Sequence, residues 1–366
     1  MKLIINQVDF SRCLQTVNNT SKNPNHPTLS GSILLQISKD VLVMRSTDFT
    51  SSTQVKVKSR VDKYEQDESF VINGGQLFDY VQTLGEGDME LQKKNDKLLV
   101  FQKGSRASFS LGSDKDFPKF SLSGKGGGVG IKSEVFVDAI RKASIASSID
   151  ESRPVLTGLL LQNKKGKLGI VGTDGYRLSL IELKIGGGED FSFIVPAKAI
   201  LSFVRGVEGD ELVFGYDPKG GQAWFERGET LIAIRVINGD FPDYEKIMPK
   251  TEGGLLQIGG EDLQNAIRQI AVFARQSANI MVWELDKQLQ IYTQESALGQ
   301  SEVLMESKFR GEKIKIAFNF RYFLEYLGVA GKEGVTISFN GPLAPAKITS
   351  EADPNFIHII MPVKAS

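Results

Sequence analysis

Two helical patterns each return three times along this chain at nearly constant spacing, and this repetition narrows the possible folds more than any other feature. Phe10, Cys13, Leu14 and Val17 place apolar residues at i, i+3, i+4 and i+7, as do Phe136, Ala139, Ile140 and Ala143, and then Leu263, Ala266, Ile267 and Ile270. Each set marks one face of a helix. The offsets are 126 and 127 residues. A second pattern appears as Leu77, Tyr80, Val81 and Leu84, again as Ile200, Phe203, Val204 and Val207, and again as Phe323, Tyr326, Leu327 and Ala330, with both offsets 123. Two independent patterns in step over so long a period imply a triplicated unit.

Segments between these helices alternate in the manner of strands and are punctuated by Gly, Asp and Asn. LSGSILLQIS, VLVMRSTDF and TQVKVKS precede the second helix of the first repeat. VLTGLLLQN, KLGIVGTDGYRLSLIEL and FSFIVP occupy those slots in the second repeat, and IMVWEL, QLQIYTQ and KIKIAFN in the third. Further strands follow each second helix, so a repeat reads as strand, helix, three strands, helix, three strands. Two amphipathic helices need a sheet to cover, and an antiparallel sheet offers one apolar face. The expected fold class is α+β, in three domains at 1–125, 126–252 and 253–366.

Composition excludes several function classes. The single cysteine, Cys13, and the two histidines, His26 and His358, supply neither an internal disulfide nor a zinc site, and no nucleophile motif accompanies either histidine. No cofactor or metal is expected. Lys and Arg total 44 and are balanced by 44 Asp and Glu, so any nucleic-acid surface must be local. No apolar run reaches the roughly 18 residues of a membrane span, and MKLIINQVDF turns polar too soon for a signal peptide. A cytoplasmic protein is expected. The glycine-rich stretch SGKGGGVG, at the first repeat boundary, lacks the P-loop pattern and reads as a linker.

Five motifs in order give these repeats a resemblance. They are RPVLTGLLL at Arg153–Leu161, TDGYRLSL at Thr173–Leu180, IVPAKAI at Ile194–Ile200, NGDFPDYEKIMP at Asn238–Pro249 and the terminal IIMPVK at Ile359–Lys364. Over its whole length the chain resembles the family of bacterial DNA polymerase III β subunits, the sliding clamps. The resemblance implies three domains of the DNA-clamp fold and a homodimer that closes head to tail into a ring. It implies a non-enzymatic protein that encircles duplex DNA without regard to sequence and tethers DNA polymerase III, the clamp loader and other proteins.

Carried over residue by residue, it also implies a hydrophobic peptide-binding cleft. Leu156, Thr173, Gly175, Tyr176, Arg177 and Leu178 form part of its walls, with Pro242, Ile247, Ile359 and Met361, and Pro362 and Val363 continue it. Arg153, Lys246, Asn319 and Tyr322 take rim positions. Physically, an anchor such as Leu or Phe wants an apolar pocket with a few polar groups beside it. Two alternatives stay open: Leu156, Leu178 and Ile359 as ordinary core, and Arg177 as the partner of a structural carboxylate.

The resemblance implies DNA-facing residues at His26, Arg141, Lys142, Lys198 and Arg205, of which Lys198 in VPAK is the best match. A ring held by topology needs only weak phosphate contacts, which suits the balanced charge. Ordinary solvated helix faces are the competing reading for these residues. Phe109 and Leu111 are expected to meet Val272 and Phe273 of a second copy, the alternative being that Phe109 and Leu111 face their own core. Two rival classes remain, an enzyme, which requires a deep polar pocket with perturbed titrating groups, and a triplicated scaffold that never meets DNA.

Overall fold

The computed structural model describes residues 2–21, 30–62, 64, 66–119, 128–187, 189–249, 253–276, 278–295, 299–331 and 333–364. His26 and most of the glycine-rich stretch, at 123–127, lie outside the described residues. Six α-helices are present among those described: α1 (Gln7–Asn18), α2 (Gly74–Thr83), α3 (Ser133–Ser144), α4 (Ala197–Gly206), α5 (Gly260–Ala274) and α6 (Phe320–Ala330). They fall where the periodic patterns predict them. Each follows directly on a strand, and asparagine caps mark three of the junctions. The Asn6 side chain accepts from the Val8 and Asp9 N–H groups, Asn73 from Gln76 and Asn319 from Arg321. A capped first turn satisfies donors that the helix itself leaves unpaired.

The expected three strands between paired helices fall short, since there are five, four and five. The first repeat adds Arg60–Asp62 and Glu68–Asn73, and the third adds Glu302–Met305 and Lys308–Arg310. In the second, KLGIVGTDGYRLSLIEL is a hairpin of Lys167–Thr173 and Arg177–Lys184. Most of the extra strands are short or strongly polar, so they carry little alternation. The hairpin is hydrophobic on both faces, which hid its turn. Three strands follow the second helix in every repeat, as expected.

The chain divides into two compact units that do not coincide with the three repeats. The first comprises Met1–Val137 and Lys198–Val236. It holds a five-stranded and an eight-stranded antiparallel sheet. The larger one crosses a repeat boundary, because Ser51–Lys58 pairs with Thr230–Arg235, with Thr53 opposite Ile232. Phe10, Leu14 and Val17 of α1 and Leu77 and Val81 of α2 share one core with Leu35, Met44 and Val100 from the sheets. Phe203 packs with Phe225, and Phe136 with both Phe214 and Phe225.

The second unit comprises Asp138–Ala197 and Ile237–Ser366. It holds a nine-stranded and a four-stranded sheet. Here Arg177–Lys184 pairs with Phe356–Ile360, setting Leu178 opposite Ile359 and Leu180 opposite Ile357. Successive residues of a strand point to opposite faces. Ser179 and His358 therefore lie on the other face, where Ser179 Oγ and His358 Nδ1 are 2.8 Å apart. His358 is fully buried and stacks on Tyr326 at 5.3 Å between centroids. Burial, with a smaller contribution from the Arg177 charge, pushes its pKa down to about 3, so the ring is neutral at pH 7. Trp283, Phe318 and Phe339 form an aromatic centre with Phe323 of α6.

Candidate functional site

The TDGY segment is a tight turn built by its own side chains. Thr173 Oγ1 donates to the Arg177 carbonyl at 2.7 Å and accepts from the Gly175 N–H at 3.1 Å. Asp174 Oδ1 accepts from the N–H groups of Tyr176 and Arg177 at 2.8 and 3.0 Å. Gly175 has φ +90°, a region that favours glycine. The turn leaves Tyr176 exposed, and its carbonyl accepts from the Met361 N–H at 2.8 Å, which fixes the C-terminal IMPV segment beside it. Val363 N–H donates to the Ala317 carbonyl at 2.9 Å, so this segment is tied down at both ends.

Under the turn lies an apolar cluster of Leu160, Val171, Leu178, Leu180, Ile194 and Ile359. Val155, Ile237, Phe241, Tyr244, Met248 and Ile357 pack against it and keep part of their surface in solvent. Leu178 and Ile359 are fully buried and Leu156 nearly so. These three are core residues, and the residues packed round them, with Met361, Pro362 and Ile247, keep surface in solvent. Burial raises the pKa of the Tyr244 phenol. Pro242 is exposed, and exposed Lys246 lies 2.8 Å from Asp243, a contact that raises the lysine pKa and lowers that of the aspartate.

Arg177 is the best-held charge of the site. Its Nε donates to Asp174 Oδ2 at 3.1 Å and its Nη1 to Glu325, and its guanidinium lies over the Tyr322 ring, 4.4 Å from the centroid. Burial raises the Tyr322 pKa. Asn319 is spent in part on capping α6. Arg153 is exposed, with its Nη1 within 3.8 Å of where a Cβ on Gly175 would stand. All sixteen expected cleft residues fall within the second unit, Leu156 in the 3-10 turn Pro154–Thr157 and Lys246 and Ile247 in that at Tyr244–Ile247. The sequence reading missed Asp174 and Glu325, which hold Arg177, and Val155, Phe241, Tyr244 and Met248, which rim the cluster. The Asp-Gly turn and the i, i+3 spacing of Tyr322 and Glu325 were the available signals.

The basic residues separate sharply. Lys198 and Arg205 are exposed on α4 and make no ion pair among the described residues. Arg141 is exposed on α3, with Asp138 3.8 Å away. Lys142 is placed differently from the other three. Its Nζ lies 2.5 Å from Asp138 and 2.7 Å from Asp353, and 5.7 Å from the Phe356 ring centroid, with the side chain 10% exposed. It is a buried tie between α3 and the segment before Phe356–Ile360, not a free cation. Phe109 and Leu111 are half-buried against their own core, Phe109 meeting Tyr80 edge to face at 5.7 Å. Val272 is mostly exposed and Phe273 partly so.

The geometry defines the class first: a triplicated α+β protein whose paired helices and antiparallel sheets form the three-domain clamp fold. Models of the DNA polymerase III beta subunit match the chain in order, the N-terminal domain at residues 1–121, the central domain at 130–243 and the C-terminal domain at 245–364. The chain belongs to the DNA polymerase III beta subunit family, the sliding clamps, which are processivity factors in DNA replication and not enzymes. It is 28% identical over 370 residues to the beta sliding clamp of Chlamydia muridarum, covering 100% of this chain and 99% of that one. It is 27% identical over 376 residues to that of Caulobacter vibrioides, covering 100% of both. The beta subunit structure from Streptococcus pyogenes superposes with a TM-score of 0.93 at 18% identity, and that from Pseudomonas aeruginosa with 0.91 at 24%, each over 100% of both chains. No described helix is long and apolar enough to cross a membrane.

Proposed function

We propose that two copies of this chain close head to tail into a ring around duplex DNA, and that the ring carries the replicative polymerase, the clamp loader and repair proteins through the cleft built around Arg177. The observation that carries this reading is the ordered match of all three repeats to the three domains of one clamp family. The working domains are 1–125, 126–252 and 253–366, and the protein acts in the cytoplasm without a cofactor.

The ring contact joins Phe109 and Leu111 of one copy to Val272 and Phe273 of the next. Two features support it. Among the described residues Ser105–Ser110 pairs on one side only, as does Glu302–Met305, so each is a sheet edge with free backbone groups. Leu304 and Val272 are also large apolar side chains mostly in solvent. A heterologous contact of this kind closes when the rotation between copies permits it. DNA is met by exposed cations, Lys198 and Arg205 foremost and Arg141 as well, through phosphate contacts that allow sliding. The test is retention after loading. Circular duplex should hold the protein stably and linear duplex with free ends should lose it quickly. Equal retention on both rules out tethering by topology.

A further inference from the structure

Arg177 enters the cleft already engaged, and its two carboxylate partners are unequal. Asp174 sits in the turn itself, where its Oδ1 holds two backbone N–H groups, and its side chain is 15% exposed. Glu325 comes from the exposed side of α6. Its side chain is 43% exposed and has no partner other than Arg177 among the described residues. Asp174 is therefore fixed by the local fold, whereas Glu325 rotates into water at small cost. The guanidinium face is covered by Tyr322, and Nη2 alone makes no hydrogen bond among the described residues.

This arrangement discriminates between ligands. A neutral acceptor, an amide or a backbone carbonyl, needs only the Nη2 donors and leaves Glu325 in place. A ligand carboxylate brings a third negative charge to one guanidinium that already has two, so it must expel Glu325 or suffer its repulsion. We propose that Glu325 is the specificity determinant of the cleft, an internal carboxylate that occupies Arg177 and sets the balance between acidic and neutral peptides. The proposal rests on the reading of this cleft as a peptide site and adds the chemistry of the partner to it.

The experiment uses the full-length protein and two synthetic peptides. Both carry a glutamine and a leucine-phenylalanine anchor, and they differ only in an aspartate or an asparagine between them. Calorimetry gives the ratio of their affinities for the parent, Glu325→Gln and Glu325→Ala. Both variants should shift the ratio toward the aspartate peptide by roughly three- to tenfold, the scale of one partly screened charge pair. The shift should shrink as salt rises. Glu312→Gln, which removes an exposed carboxylate outside this site, should leave the ratio unchanged. A purely structural role for Glu325 would alter both affinities alike. A ratio that stays constant across parent and both variants, with both peptides bound, overturns the proposal, and so does an equal shift in Glu312→Gln. If the parent binds neither peptide, the peptide-site reading fails, and this proposal with it.

Discussion

Lys142 offers a direct contest between a DNA contact and a structural tie. Truncation by Lys142→Ala removes the ammonium from Asp138 at 2.5 Å and Asp353 at 2.7 Å and leaves Asp353, whose side chain is 26% exposed, without its cation. A hydrogen bond to a charged group contributes about 1.5–3 kcal/mol, and breaking a fully buried pair costs about 3–5 kcal/mol. Asp138 is 45% exposed, so its share is discounted for solvent screening to a few tenths of a kcal/mol. The expected loss is about 2 kcal/mol. Burial pulls the Lys142 pKa down, but the hydrogen bonds its ammonium donates to Asp138 and Asp353 outweigh it and the net shift is upward. A group whose pKa is raised by folding gives its full contribution below its unfolded value of 10.5 and loses it only as pH rises through the folded value. The effect should therefore be undiminished at pH 7. The chain has two tryptophans, one in each compact unit, so Trp283 fluorescence in a Trp224→Phe background reports on the second unit. With an m-value of about 3 kcal/mol/M, the urea midpoint should fall by about 0.7 M. Retention on circular DNA, measured where the variant is folded, should match the parent. An unchanged midpoint together with DNA loss as large as that of Lys198→Glu would refute the assignment and make Lys142 a DNA contact.

Met361→Ala should weaken the anchor peptide by about 1–3 kcal/mol in calorimetry with little change in unfolding, because Met361 is only partly buried. Leu178→Ala should instead lose about 2–5 kcal/mol of stability, since Leu178 is 1% exposed, and a variant that stays as stable as the parent would remove it from the core. Phe273→Asp should sediment as a monomer, and a persistent dimer takes Phe273 out of the interface. The folded protein keeps His358 neutral down to about pH 3, while the unfolded chain takes up a proton near 6.5. Acidification between those values should cost up to about 1.4 kcal/mol per pH unit, and His358→Phe should flatten that part of the urea-midpoint profile.

Some of this protein was legible in one dimension. The six helices followed from apolar spacing because a helix face is a local property, written within about a dozen residues. The asparagine caps are local too, but the sequence reading did not name them. The strand count was less accessible, since Lys167–Lys184 is apolar on both faces and alternation cannot show a break there. The second compact unit contains the expected cleft residues, but the expectation that they form a site came from the five motifs and not from periodicity.

Long-range pairing decided the rest. Arg141 and Lys142 are neighbours in sequence, yet about 100° of helix rotation separates them. One faces solvent and the other reaches Asp353, 211 residues away. Nothing near Lys142 announces that partner. Leu178 and Ile359 read as core from their residues and as pocket from the family resemblance, and their pairing across Arg177–Lys184 and Phe356–Ile360 buries both. Arg177 was expected to face a peptide or a structural carboxylate, and the fold gives it two carboxylates, one from its own turn and one from α6, 148 residues on. The sequence by itself determined the triplication, the helices and the family, because those rest on local patterns repeated along the chain. Only the tertiary structure decided which charges are free and which are held, because that depends on which distant residues the sheets bring within hydrogen-bond reach.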